Sequence, residues 1–393
     1  MSDFTKGNQI TLLRNGEEYF PALEAAINQA KHEIHIETYI YQADAIGLKI
    51  GNALKRAAQR GVAVYCLLDG FGSKDLPATY IQGLGLAGVQ VMFYRAKISP
   101  WTFKKNRLRR LHRKTAVIDR KIGFVGGINI IDDYDVPKGA TPRVDYAVRL
   151  EGALVPALYA SVHKLWRRIA WSQLRPVAKP PEIHSAASKA SASKAEQTSD
   201  GGIKAALLLR DNIMHRRDIE EAYLSAIANA KSEIIIANAY FVPGGEFRKA
   251  LLEAARRGVK VKLLLQGRVE YFAMFATHAF YSLFLENGIE IYEYRKSFMH
   301  SKVAVIDTQW ATVGSSNIDP FSLLLAREAN IAVLDTAFSN ELRTSILKSI
   351  EDGATQINVE SWKRRRLLGR FASWLAYGCL RLFLGVIGLS NER

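Results

Sequence analysis

Two segments of this sequence carry residue types that could work on a phosphodiester: LHRKTAVIDRKIGFVGGINI at 111–130 and MHSKVAVIDTQWATVGSSNI at 299–318. Each contains His-x-Lys-x4-Asp, with His112, Lys114 and Asp119 in the first and His300, Lys302 and Asp307 in the second, followed at equal spacing by Asn129 and Asn317. One such match is weak evidence; two at corresponding places in a repeat are not chance. On a strand, side chains two apart share a face about 6.6 Å apart, so each His points with its Lys. Imidazole can serve as nucleophile or acid near neutral pH, and Lys holds phosphate as a point charge. Folding both copies around one pocket would suit an anionic phosphodiester, with Asn129 and Asn317 as neutral donors to the developing oxyanions. Asp119 and Asp307 differ, because seven residues of straight strand put them about 23 Å from their own His. They precede Arg120-Lys121 and Thr308-Gln309, which read as hairpin turns, so a turn-fixing role is expected and a place among the catalytic residues is the alternative. A working histidine wants a carboxylate on its other nitrogen. Asp145 in RVDYAVRLEG and Glu328 in REANIAVLD, at equivalent places in the two copies, are the candidates; a surface charge at a strand start is the plain alternative.

The elements that must position these residues also repeat. AAINQAKHEIHI at 25–36 matches SAIANAKSEIII at 225–236, and LKRAAQRGVAVYCLLDG, ending at Gly70, matches LLEAARRGVKVKLLLQG, ending at Gly267. Each copy reads helix, strand, helix ending in Arg-Gly, strand, helix, then VQVMFYR or IEIYEYR as a third strand. Buried Val/Ile runs between helical patterns predict an α/β sandwich on a mixed sheet, occurring twice and related by a pseudo-twofold. The expected boundaries are 1–171 for the first domain, 172–204 for a Ser/Ala/Lys-rich flexible linker, 205–361 for the second domain and 362–393 for a basic tail. An insertion in the first copy makes Arg95–Lys114 a run of nine Lys or Arg and no acid. It reads either as a solvated loop or as an anion-facing loop beside the site.

The chain has 393 residues, 48% apolar, and 54 Lys plus Arg against 38 Asp plus Glu, a formal charge of +16. That excludes a mainly disordered protein and points to an anionic partner, nucleic acid or a membrane surface. Cys66 and Cys379 cannot build a disulfide framework or a Cys-based metal site, and no His cluster has ligand spacing, so neither metal nor cofactor is expected. Met1–Asn15 lacks the apolar core of a cleaved export signal.

The paired HxKx4D with its following GG/GS-x-N resembles the phospholipase D superfamily over about 8–171 and 205–350. NGEEYFPALEAAINQA, IIIANAYFVPGG and WATVGSSNIDPFSLLLAREAN are similar to bacterial cardiolipin synthases, of the type without two N-terminal transmembrane helices. The resemblance implies two tandem phospholipase D-like α/β sandwich domains. It also implies a phosphatidyltransferase that moves a phosphatidyl group to phosphatidylglycerol and releases glycerol or another small alcohol. One His would form a phosphatidyl-histidine and the other would protonate the leaving alcohol, with His112 expected as nucleophile and His300 as acid then base, or the reverse. Where the family often has Arg after GSxNxD, this chain has Asp319-Pro320-Phe321-Ser322.

In the tail, Lys363, Arg364, Arg365, Arg366 and Arg370 precede a mostly apolar stretch in which Arg370, Ser373, Tyr377 and Arg381 form one helical stripe. This predicts a C-terminal amphipathic helix lying on an anionic membrane, against the alternatives of a spanning helix or one packed on the protein itself. The leading expectation is a peripheral enzyme on the cytoplasmic face of a bacterial inner membrane, acting on phosphatidylglycerol, with phosphatidylethanolamine as the second candidate, rather than on nucleic acid. A phospholipase D-type hydrolase or a nuclease is the rival. Tyr39, Tyr41, Tyr240 and Phe241, at strand ends, would line a lipid entrance or lie in the core.

Overall fold

A computed structural model describes residues 3–95, 109–135, 142–176, 201–211, 215–268, 276–363, 375, 378, 379 and 382. The first half runs β1 (Thr5–Arg14), α1 (Asn15–Gln29), β2 (Glu33–Thr38), α2 (Ala45–Gln59), β3 (Ala63–Asp69), α3 (Ala78–Leu86), β4 (Gln90–Tyr94), β5 (Lys114–Ile118), β6 (Ile122–Gly126), β7 (Tyr146–Gly152) and α4 (Val155–Ser172). The second runs β8 (Ile203–Arg210), α5 (Asp218–Asn229), β9 (Glu233–Asn238), α6 (Gly245–Arg256), β10 (Lys260–Gln266), α7 (Tyr281–Glu286), β11 (Glu290–Tyr294), β12 (Lys302–Ile306), β13 (Trp310–Gly314), α8 (Pro320–Leu324), β14 (Glu328–Leu334), α9 (Thr336–Gly353), β15 (Ala354–Ile357) and α10 (Val359–Lys363).

The Arg-Gly that ends α2 and α6 has a physical reason in both copies. Gly61 and Gly258 take φ of 88° and 87°, the left-handed conformation that closes a helix. The preceding Arg60 and Arg257 donate to the carbonyls of Ile27 and Ala30, and of Ile227 and Ala230, which lie at the ends of the neighbouring helices.

The strand order is β15-β11-β10-β9-β12-β13-β14-β8-β1-β7-β6-β5-β2-β3-β4, so the two mixed sheets repeat one another outward from a central β8–β1 pair. β2, β3 and β4 run parallel, as do β9, β10 and β11, while β5 and β12 pair antiparallel to β2 and β9. Antiparallel pairing of Thr5 with Ala205 and Asn8 with Ile203 fuses the halves into one sheet. The joining strands β1 and β8 are additions to the repeat read from the sequence, which started at the helices.

On one face of each half-sheet lie its own helices, with Phe20, Leu23, Ile50 and Leu54 in the first core and Tyr223, Phe247 and Leu251 in the second. A third core is shared: Val117, Val125 and Val148 meet Val303, Val305, Val313 and Ile331. Burial of such aliphatic side chains, worth about 1.5–3 kcal/mol each, docks the halves and brings the two motif strands together. α10 crosses the expected boundary at 361, since Trp362 is buried in the second core and donates through Nε1 to Ser282 Oγ. Most of the expected linker and tail, and residues 96–108 of the basic insertion, lie outside the described residues. Among the described residues no helix is long and apolar enough to cross a membrane.

Candidate active site

The two motif histidines stand just before β5 and β12, where the chain leaves its own sheet and pairs with the other half. Leu111 bridges to Arg327, and Met299 bridges to Val144, both in parallel register. The His112 N–H donates to the Arg327 carbonyl at 3.0 Å and the His300 N–H to the Val144 carbonyl at 2.8 Å. The next residues after those carbonyls are Glu328 and Asp145. Glu328 Oε1 lies 2.8 Å from His112 Nδ1, and Asp145 Oδ2 lies 2.7 Å from His300 Nδ1. Each histidine therefore takes its carboxylate from the opposite copy, a crossing that equivalence within the repeat does not reveal.

Both carboxylates are fixed in turn. Ser315 donates to Glu328 Oε2 at 2.5 Å, and the Tyr146 N–H donates to Asp145 Oδ1 at 2.9 Å. Gly127 stands where Ser315 does in the other copy, and a Cβ there would come within 2.3 Å of Asp145 Oδ1. The Gly-Gly of one copy and Gly-Ser of the other thus match the two carboxylates they face.

With a carboxylate accepting from Nδ1–H, Nε2 keeps its lone pair and faces the cleft. The cleft is about 760 Å³ and is lined by His112, His300, Asn129 and Asn317 together with Tyr39, Tyr240, Phe298 and Arg143. Lys114 Nζ donates to the His112 carbonyl at 2.6 Å and lies 5.4 Å over the Tyr39 ring. Lys302 Nζ donates to the His300 carbonyl, and lies 2.8 Å from His300 Nδ1 and 3.7 Å from Asp145 Oδ2. Asn129 Oδ1 accepts from the Ile40 N–H at 3.0 Å, while the buried Oδ1 of Asn317 has no hydrogen-bond partner.

Burial governs the electrostatics. It pushes Lys114 down to about 7 and Lys302 down to about 8, and Asp145 up to about 6. Burial and the nearby ammonium groups hold His112 below and His300 well below the ordinary imidazole value, so both rings are neutral in the empty cleft at neutral pH. An anionic diester entering between them favours the protonated form of every one of these cations.

The sequence placed His112, Lys114, Asn129, Asp145, His300, Lys302, Asn317 and Glu328 at a site, and the fold brings all eight together. Asp119 and Asp307 do not line the cleft and stand instead at the hairpin turns. The Asp119 carboxylate accepts from the backbone N–H groups of Lys31, His32 and Glu33 at 2.8, 2.8 and 2.9 Å. Asp307 accepts equivalently from Lys231, Ser232 and Glu233. Both adopt positive φ at the hairpin turn and tie it to the start of β2 or β9. Tyr39 and Tyr240 line the cleft, whereas Tyr41 and Phe241 are core residues. Arg113, in the basic stretch, is buried against the Glu37 carboxylate rather than lining the cleft. Arg143 and Phe298 were not singled out from the sequence; their signal was proximity, two residues before Asp145 and two before His300.

A family model described as "Cardiolipin synthase, PLD-like domain" matches residues 23–134 and 223–349. The chain is 38% identical over 395 residues to cardiolipin synthase B of Escherichia coli (strain K12), covering 98% of this chain and 90% of that protein. It is 32% identical to cardiolipin synthase 2 of Bacillus anthracis, over 90% of this chain and 67% of that one. Among solved structures, the fold matches phosphatidylserine synthase of Haemophilus influenzae Rd KW20 with a TM-score of 0.69 at 14% identity, covering 98% of this chain and 95% of that chain.

Proposed function

The chain belongs to the cardiolipin synthase family with phospholipase D-like domains, and from that premise we propose that it joins two phospholipids by a double displacement at the paired histidines. The observation that carries this reading is the crossed pair of His–carboxylate contacts facing one cleft. Neutral His112 attacks the donor phosphorus through Nε2; a P–N bond forms as the P–O bond to the leaving alcohol breaks. His300, protonated once the diester's negative charge is in place, gives its proton to that alcohol oxygen. In the second half, neutral His300 takes the proton from the terminal hydroxyl of phosphatidylglycerol, whose oxygen attacks phosphorus and expels neutral His112. Lys114, Lys302, Asn129 and Asn317 stabilise the charge that builds on the non-bridging oxygens. The pseudo-twofold allows the mirrored assignment, and Lys302 beside Nδ1 favours a neutral His300 in the empty cleft.

The proposed organisation keeps the two domains, with the first extended to 172 and the second spanning 203–363 so as to include all of β8 and α10, joined by the segment between them and followed by a tail that keeps the enzyme on the cytoplasmic face of a bacterial inner membrane. Donor lipids are phosphatidylglycerol and, as a second choice, phosphatidylethanolamine. Mass spectrometry of products formed from defined phosphatidylglycerol vesicles tests the reading. Cardiolipin and glycerol in equal amounts support it; phosphatidic acid alone would point to a hydrolase, and cleavage of nucleic acid with inert lipid to a nuclease. Removing residues 364–393, which spares Trp362, should release protein from the vesicles while turnover of short-chain lipid persists. Unchanged vesicle binding would place the anchor elsewhere.

A further inference from the structure

A second concave site lies beside the histidine cleft: Arg109 lines it while Arg110 and His112 line the cleft, and no residue lines both. It is about 320 Å³, and four guanidinium groups border it: Arg95 just after β4, Arg109, Arg168 on α4, and Arg327 just before β14. Its apolar floor is Phe93, Leu165 and Ile169, and among the described residues no carboxylate lines it. The Nε atoms of Arg109 and Arg327 are buried without a hydrogen-bond partner. Although burial works the other way, Arg327 and Arg95, by charge and by hydrogen bonding, hold the Tyr94 hydroxyl below its ordinary value. Burial and the facing Arg95, Arg216 and Arg327 likewise lower Arg109.

Like charges confined in a partly desolvated pocket repel, and buried N–H donors without acceptors are costly. A tetrahedral anion relieves the repulsion, its oxygens accepting from guanidinium forks that a lysine cluster would not supply. We propose that this pocket is a second anion site, taking the phosphate group of a phosphate monoester or diester between Arg95, Arg109, Arg168 and Arg327. The ligand is either free phosphate or a phospholipid headgroup. The pocket abuts the histidine cleft at one residue: the Arg327 N–H donates to the Arg110 carbonyl at 2.8 Å, the Arg327 carbonyl accepts from the His112 N–H, and Glu328 follows.

The test uses the full chain and reads binding rather than turnover, so it stands apart from the fate of the catalytic reading. Equilibrium dialysis with inorganic phosphate at low ionic strength is compared for the wild type and an Arg95→Gln/Arg168→Gln double variant. Affinity for phosphatidylcholine vesicles doped with phosphatidylglycerol is measured in parallel. The proposal predicts one phosphate equivalent more per wild-type chain than in the double variant, whatever the histidine cleft itself binds. Unchanged vesicle affinity would then assign the site to free phosphate, and a several-fold loss to a lipid headgroup. Arg168 is exposed on α4, so Arg168→Glu alone keeps the fold and should weaken the second phosphate by about tenfold or more. Equal stoichiometry and equal vesicle affinity in wild type and both variants would overturn the proposal.

Discussion

His112 Nδ1 lies 2.8 Å from an oxygen of Glu328, a residue 216 positions away in the other copy of the repeat. The reciprocal contact, His300 to Asp145, spans 155 positions. Each half therefore holds its own lysine and asparagine but depends on the other for the group that sets the tautomer of its histidine. The four-residue His–carboxylate arrangement exists only in the docked pair, held by the β1–β8 seam and the shared aliphatic core.

Glu328→Gln and Asp145→Asn should each lower kcat by about 10²–10⁴-fold with a much smaller change in KM, because the amide cannot stabilise imidazolium or hold the reactive tautomer. Steady-state kinetics on short-chain phosphatidylglycerol checks this. A change confined to KM would mean that the carboxylates bind substrate instead of serving the histidines.

The pH dependence follows from the buried lysines. Their ammonium charge is present below about 7 for Lys114 and about 8 for Lys302 and is lost as pH rises through those values. The anionic diester then binds less well, so kcat/KM should fall on the alkaline side across this interval. On the acid side the neutral imidazoles persist below the ordinary histidine value, and Asp145 loses its charge as pH falls through about 6. A kcat/KM that keeps rising to pH 9 would contradict the burial argument.

The asymmetry at Gly127 and Ser315 gives a third expectation. Gly127→Ala drives a methyl into the Asp145 carboxylate and should cost about 10²-fold or more in kcat, since a displacement of about 1 Å in an orienting group is enough. Ser315→Gly removes one donor to Glu328 and should cost far less. Equal effects of the two substitutions would refute the assignment of these residues to separate carboxylates.

For Asp119→Ala, and equally Asp307→Ala, the loss should fall on stability. Three backbone N–H groups lose their acceptor, a cost of about 1–3 kcal/mol in denaturant unfolding, while kcat per folded molecule stays near wild type. A kcat reduced by orders of magnitude in a protein of unchanged stability would return these residues to the chemistry.

What the sequence carried and what it withheld have separable causes. The repeated helix, Arg-Gly and strand blocks were legible because they are local patterns, and the expectation of a turn-fixing role for Asp119 and Asp307 rests on strand length and the turns that follow them. β1 was passed over because its alternation, Ile10, Leu12 and Leu13 among polar neighbours, lies in an otherwise polar N-terminus, and β8 because it abuts the Ser/Ala/Lys tract. Asp145 and Glu328 could be nominated from type and position, but their exchange between copies is a property of docking, which no single-copy spacing encodes. The arginine pocket was invisible for the same reason: Arg168 comes from a helix of one half and Arg327 from a strand start of the other.

The central claim is a covalent phosphatidyl-histidine formed in the shared cleft. Its most direct measurement is acid-free quenching of the full-length His300→Ala variant with a donor lipid, followed by peptide mapping of the adduct. The account predicts one phosphatidyl group per chain on Nε2 of His112, none in His112→Ala, and no turnover in either variant. An adduct on His300 in the His112→Ala variant would exchange the two roles. Product formation at a wild-type rate without either histidine, or an adduct on a residue outside the cleft, would contradict the two-histidine mechanism itself.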